Sequence, residues 1–270
     1  VCGQTIIAAR ASGRKLSALK NCLKDVFTIS DFNGLVKKEV DVKVFNYLWD
    51  LIYSNGSQIT DDFNYLTKKS NKKKISGKVY EGAYLVNKKN IFIGEGSIIK
   101  PGAVLDAENG PIYIGRNVSV LPTAVIAGPA FIGDGSVVNV GAKIYKNTSI
   151  GEVCKVGGDI DESIIQSYSN KQHEGFLGHS YLGSWVNIGA DTNNSDLKNN
   201  YGSVKVTVNG ELVDSGKLFL GLMIGDHSKS AINTMFNTGS TIGVSSNIFG
   251  AGFPPKYLPS FSWGGAEAIT

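Results

Sequence analysis

From residue 90 onward, aliphatic side chains recur at a spacing that fits neither an α-helix nor a hairpin meander. Ile114, Val120, Ile126, Ile132, Val138, Ile144, Ile150 and Val156 are six apart without a miss, and Ile93, Ile99 and Leu105 keep the same period three residues out of phase. Four residues after nearly every one comes a small side chain: Ser97, Ala103, Val118, Ala124, Ala130, Ser136, Ala142, Thr148, Cys154. Glycine often follows the aliphatic directly, as at Gly94, Gly115, Gly133 and Gly151. A six-residue period predicts a solenoid with three short flat faces per turn. The aliphatic fills the interior, and the small residue lets the backbone turn the corner. Because no coil can bury its own aliphatics, the coils must stack, and the core becomes a column.

The pattern slips once, to Leu177, Leu182 and Ile188, and resumes as Ile224, Ser230, Phe236, Ile242 and Ile248. The residues between are an insertion. In it SVKVTVNGELV alternates around Asn209-Gly210, a hairpin turn signal. Before the repeat, VFNYLWDLIYS sets Phe45, Leu48, Trp49 and Ile52 on one helical stripe, and a second short amphipathic segment carries Ile59, Phe63 and Leu66. The domain reading is therefore 1–67, a small α/β remnant; 68–90, a linker with the first strands; 91–253, the solenoid, with an inserted loop and hairpin at 191–217; and 254–270, an extended C-terminal tail rich in proline and aromatics. The basic run KKSNKKK at 68–74 reads as a solvated linker.

Composition narrows the classes. A net charge of +4 among 270 residues is mild and brings no aromatic-basic interleaving, so nucleic acid is not expected as a partner. No apolar run is long enough to cross a membrane. The cysteines at 2, 22 and 154 are few and widely spaced. They suggest neither a zinc ribbon nor a disulfide framework, but reduced thiols of a cytoplasmic protein. VCGQTIIAARASG is not a convincing signal peptide, and without an initiator Met the sequence reads as a fragment or processed product.

The aliphatic monotony breaks at 171–201, KQHEGFLGHSYLGSWVNIGADTNNSDLKNNY, with two of the three histidines and five asparagines between 187 and 200. The whole pattern resembles the left-handed parallel β-helix of hexapeptide-repeat acyltransferases. Within that group it is similar to the acetyltransferase half of the bifunctional N-acetylglucosamine-1-phosphate uridyltransferase/acetyltransferase (GlmU-like) family. The matching residues are His173, Phe176-Leu177-Gly178, Val186-Asn187-Ile188-Gly189-Ala190-Asp191-Thr192 and Asn200-Tyr201. GADTNNSDLKNNY, GDHSKSAINTMFNTG and NIFGAGFPPKYLPSFSWGG bring the chain nearer still to a GlmU-like group of sugar nucleotidyltransferases of the Bacteroidetes type. The first seventy residues resemble only the end of that group's nucleotidyltransferase domain.

The resemblance implies acyl transfer from acetyl-CoA to a sugar amine, in a homotrimer with acyl sites between subunits and with no metal. Such a reaction needs a base for the amine, a held thioester and donors for the oxyanion. His173 matches the base. Lys171, Phe176, Asn187, Asn200 and Tyr201 are assigned to the sugar side, although the family has Tyr where this chain has Phe176. Ala190, Ile232 and Gly250 match backbone positions along the pantetheine arm, and Lys229 and Lys256 are assigned to the nucleotide phosphates on charge alone. The family's basic residues for a sugar phosphate have no counterpart in GGDIDES at 157–163, which carries three acids and no base. Three alternatives stay open. One is nucleotidyl transfer by a part missing from this chain, since AARASGRKLS at 9–18 imitates a glycine-rich loop poorly. Another is a zinc site using His173, His179 and His227. The last is a non-catalytic trimeric scaffold.

Overall fold

The computed structural model describes residues 1–3, 5–21, 27–68 and 74–270. Cys22 and most of the basic run at 68–74 lie outside the described residues. The chain divides into two units, Val1–Asn46 and Tyr47–Thr270. In the first, helix α1 spans Gly13–Asn21 and a 3-10 turn spans Ile29–Phe32. The turn is opened by Thr28, whose N–H donates to Asp31 Oδ2 at 2.8 Å. The amine of Val1 donates to the carbonyl of Lys38 at 2.9 Å.

The second unit begins with one helix, α2 (Leu48–Lys68), rather than two short segments. Its buried stripe is Trp49, Ile52, Ile59 and Phe63, while Phe45, Leu48 and Leu66 are exposed. The polar break Asn55-Gly56-Ser57 does not interrupt the helix, because it is the contact point with the coils. Asn55 donates to the carbonyl of Asn147 at 2.7 Å and accepts from Ser149 Oγ at 2.8 Å. Gly56 lies so close to Asn147 that a Cβ there would fall 1.9 Å from its Oδ1.

The rest is a left-handed parallel β-helix with three faces. The first face runs from Lys78–Val79 to Asn170–Lys171, bridges through Asn187, and continues to Trp263–Gly264. The second starts at Tyr84–Val86, reaches Phe176–Gly178, and resumes at Asn193–Asn194 and Met235–Phe236. The third has nine strands, from Ile91–Ile93 to Tyr257–Leu258. The six-residue aliphatics point inward as expected, and all nine small corner residues named above are fully buried. Many corners are turned by a residue with positive φ, among them Asn117, Gly135, Asn147 and Asn233, which tolerate that backbone well.

Three boundaries differ from the sequence reading. The inserted loop starts after Asn193–Asn194, which belong to the second face, and not at 191. The coils begin before residue 91, at the strands of 78–79 and 84–86. The segment 254–270 is not a loose tail. Tyr257–Leu258 and Trp263–Gly264 pair in parallel with the preceding coil, and the chain then turns back so that Trp263 and Thr270 exchange backbone hydrogen bonds. Proline at 254, 255 and 259 falls in the loops of this coil, where no ladder donor is needed. The insertion carries the hairpin Lys205–Val208 against Glu211–Asp214. Val204 and Val206 form a second apolar cluster with Trp49, Ile52, Leu220 and Met223.

Candidate active site

The edge between the first and second faces carries His173. Here one coil is short. Val156 pairs with Val138, eighteen residues earlier, but with Lys171 only fifteen later. Two of the three missing residues come out of the corner between Val156 and Ile160 and the third out of the next corner, before Ile165, and the loop of the following coil, 172–175, rides over the first gap. All four carbonyls of that loop are held. Asn139 Nδ2 donates to Gln172 at 2.9 Å, Lys171 Nζ to His173 at 2.8 Å, the N–H of Asp191 to Glu174 at 3.0 Å, and the N–H of Asp159 to Gly175 at 3.2 Å. The shelf is fixed, and His173 stands exposed on it.

Ala190, Ile232 and Gly250 follow His173 along the same edge, one per coil. The N–H of Asp191 donates to Glu174 and that of Asn233 to Ala190 at 2.8 Å, which ties the coils of His173, Ala190 and Ile232 in register. Ala190 and Gly250 leave the backbone nearly bare, and Ile232 is 70% exposed. Asn187 and Lys229 lie beside this edge as outward neighbours on the first face. Phe176 lies on its other side, on the second face, with its ring over Gly178.

Four assigned residues are not where the expectation put them. Lys171 does not face a substrate, because its side chain points inward and is 1% exposed. Asn200 and Tyr201 lie in the insertion, which leaves the second face at its far edge, and none of the described contacts joins them to His173. Lys256 donates to Thr238 Oγ1 at 3.2 Å near that far edge, apart from Lys229, which donates to the carbonyl of His227 at 3.1 Å.

The three histidines occupy three different edges. His227 belongs to the edge between the third and first faces, in a stack with Trp185 and Tyr168. His179 lies at the edge between the second and third faces. Its Nδ1 meets Asp196 Oδ2 at 2.9 Å and its Nε2 meets Glu162 Oε2 at 3.5 Å, with Phe219 stacked on the ring. One chain therefore does not assemble them around one ion.

The acid run 157–163 finds its bases on the preceding coil, which the linear sequence conceals. Asp159 pairs with Lys143, and Glu162 with Lys146 at 3.4 Å. Burial pushes the Asp161 carboxyl above its usual range. Sequence reasoning also missed Asn139 and the inward placement of Lys171. The available signal was that Lys171 lies six residues before Leu177, a position the repeat fills with an aliphatic.

No protein-family model matches the chain. A bifunctional sugar-1-phosphate nucleotidylyltransferase/acetyltransferase of Sulfurisphaera tokodaii is 34% identical over 104 residues, covering 38% of this chain and 26% of that protein. A bifunctional protein GlmU of Acaryochloris marina is 30% identical over 158 residues, covering 58% of this chain and 30% of that protein. The chain thus spans less than a third of the length of these relatives. Among solved structures, a UDP-N-acetylglucosamine acyltransferase of Francisella novicida aligns with a TM-score of 0.44 and 15% identity, over 72% of this chain and 69% of that one. Over its C-terminal region the chain is similar in sequence to bifunctional sugar-1-phosphate nucleotidyltransferase/acetyltransferases of the GlmU type.

Proposed function

We propose that the chain is a hexapeptide-repeat acyltransferase that moves an acetyl group from acetyl-CoA to the amine of an amino-sugar phosphate or nucleotide sugar, with His173 as general base. The observation that carries this reading is the shared edge. Residue 173 occupies the same corner of the solenoid as Ala190, Ile232 and Gly250 on the coils that follow. A narrow, nearly bare edge with one exposed apolar side chain suits an extended pantetheine arm. The thioester would then end near the imidazole. In the reaction the sugar nitrogen attacks the thioester carbonyl. The C–N bond forms, His173 takes the proton the nitrogen loses, the C–S bond breaks, and the thiolate leaves as the CoA thiol once protonated.

His173 is open to solvent on a single chain, so the reading includes a homotrimer in which a second copy walls the site. Phe176, Asn187, Asn200 and Tyr201 remain assigned to the acceptor, the last two acting across the interface. The test is thiol release from acetyl-CoA against a panel of amino sugars and nucleotide-linked amino sugars. His173→Ala is expected to lower kcat by ~10²–10⁴, the usual worth of general-base assistance. Absence of acetyl-CoA binding by calorimetry would overturn the reading and leave a non-catalytic trimeric scaffold.

A further inference from the structure

Lys171 occupies a position the repeat reserves for aliphatics. On the first face the inward residues before it are Val120, Val138 and Val156, and the next is Ile188. Placing an ammonium in that column is costly unless its donors are satisfied. Both acceptors found for it are backbone carbonyls: Gly157 at 3.1 Å and His173 at 2.8 Å.

Other coils of this edge show why they need it. There the corner residue donates its N–H to the carbonyl of the coil before: Gly102 to Gly82, Gly141 to Pro122, Asp191 to Glu174, Asn233 to Ala190. At the shortened coil the Gly157 carbonyl takes the lysine ammonium instead. Gly157 also lies directly against the Gln172 carbonyl, which a Cβ would approach to 2.3 Å, and that carbonyl takes the Asn139 amide. Two side chains, one from inside the column and one from two coils earlier, do what backbone amides do elsewhere, and both act on the loop that presents His173.

We infer that Lys171 is a positioning residue for His173. From inside the solenoid it clamps the His173 carbonyl to the shortened coil, and Asn139 clamps the neighbouring Gln172 carbonyl. A rung of Val or Ile would stack better but would leave the base on a loose loop. This inference rests on the general-base reading of His173.

The experiment replaces Lys171 with Met, which keeps much of the length and removes the donors, and Asn139 with Ala as a second, milder variant. Hydrogen–deuterium exchange is read on the peptide spanning 172–176, alongside thermal stability, acetyl-CoA affinity and steady-state kinetics. In Lys171→Met, exchange at 172–176 is expected to rise at least tenfold, kcat to fall 10- to 100-fold, and acetyl-CoA affinity to stay within about twofold. Asn139→Ala is expected to move the same two readouts in the same direction by less. Unchanged exchange, or wild-type kcat in a folded variant, overturns the inference. So does a loss of donor affinity in step with kcat, which marks a structural role only. Failure of both variants to fold does the same. His173→Ala is measured in parallel. If it keeps full activity, the general-base reading falls and takes the positioning role with it, whereas the exchange result still reports whether the clamp exists.

Discussion

At position 171 burial pushes the lysine amine down to about 8. Against ~10.4 in an unfolded chain, that depression corresponds to about 3 kcal/mol of cost below pH 8, where the amine is charged in both states. Between pH 8 and roughly 10 the unfolded chain binds the extra proton, so stability rises with pH through this group. The neutral amine still donates two hydrogen bonds, so the clamp survives the loss of charge. The urea midpoint of the wild type is therefore expected to climb relative to that of Lys171→Met between pH 8 and 10. A flat difference across that window would show that the amine reaches water. Near pH 7 the two proteins should be close in stability, because removing the buried charge is offset by two carbonyls left without donors, at about 1–3 kcal/mol each.

Among the elements, α2 shows how a helix can look broken in sequence and be continuous in space. Its Asn55-Gly56 pair meets the corner at Asn147, where a larger side chain at 56 has no room. Its apolar stripe meets the hairpin segment through Trp49, Ile52, Val204 and Val206. Ile52→Ala is expected to cost about 2–5 kcal/mol, the range for a fully buried aliphatic, measured by calorimetric unfolding. Asn55→Ala should cost about 1–3 kcal/mol, since it leaves the Asn147 carbonyl and the Ser149 hydroxyl without that partner. Asn55→Ala should leave thiol release unaltered, because it lies at the edge of the third face, away from His173.

For the molecule as a whole, the column is a one-dimensional stack, and each coil is stable only against its neighbours. The last coil, with Leu258 fully buried and Trp263 paired back to Thr270, covers the inward side chains Ile242 and Ile248 of the coil before it. Deletion of 254–270 should expose that apolar end and a bare parallel strand edge, and give a protein that self-associates on size-exclusion chromatography. A truncated protein that runs as a well-behaved species of wild-type oligomeric state would show that the segment is dispensable to the column. Among the described residues, no helix is long and apolar enough to cross a membrane.

The period of six by itself determined the solenoid, which side chains point inward, and which small residues turn the corners, because interior volume and corner sterics act on every coil alike. Asn209-Gly210 likewise announced its hairpin, since the turn needs backbone angles that few residue pairs adopt. His173 was legible through the residues around it, but what holds it was not. Lys171 read as a charge to be offered to a substrate until the shortened coil placed it inward. The acids at 159 and 162 looked unpaired until parallel register set Lys143 and Lys146 against them. The proline-rich end looked extended until it closed another turn. Each of these was decided by tertiary structure for one reason. Neighbours in this solenoid are fifteen to twenty-one residues apart in the chain, and forty-two across the insertion, so a deletion of a few residues in one coil changes who meets whom without changing any local pattern.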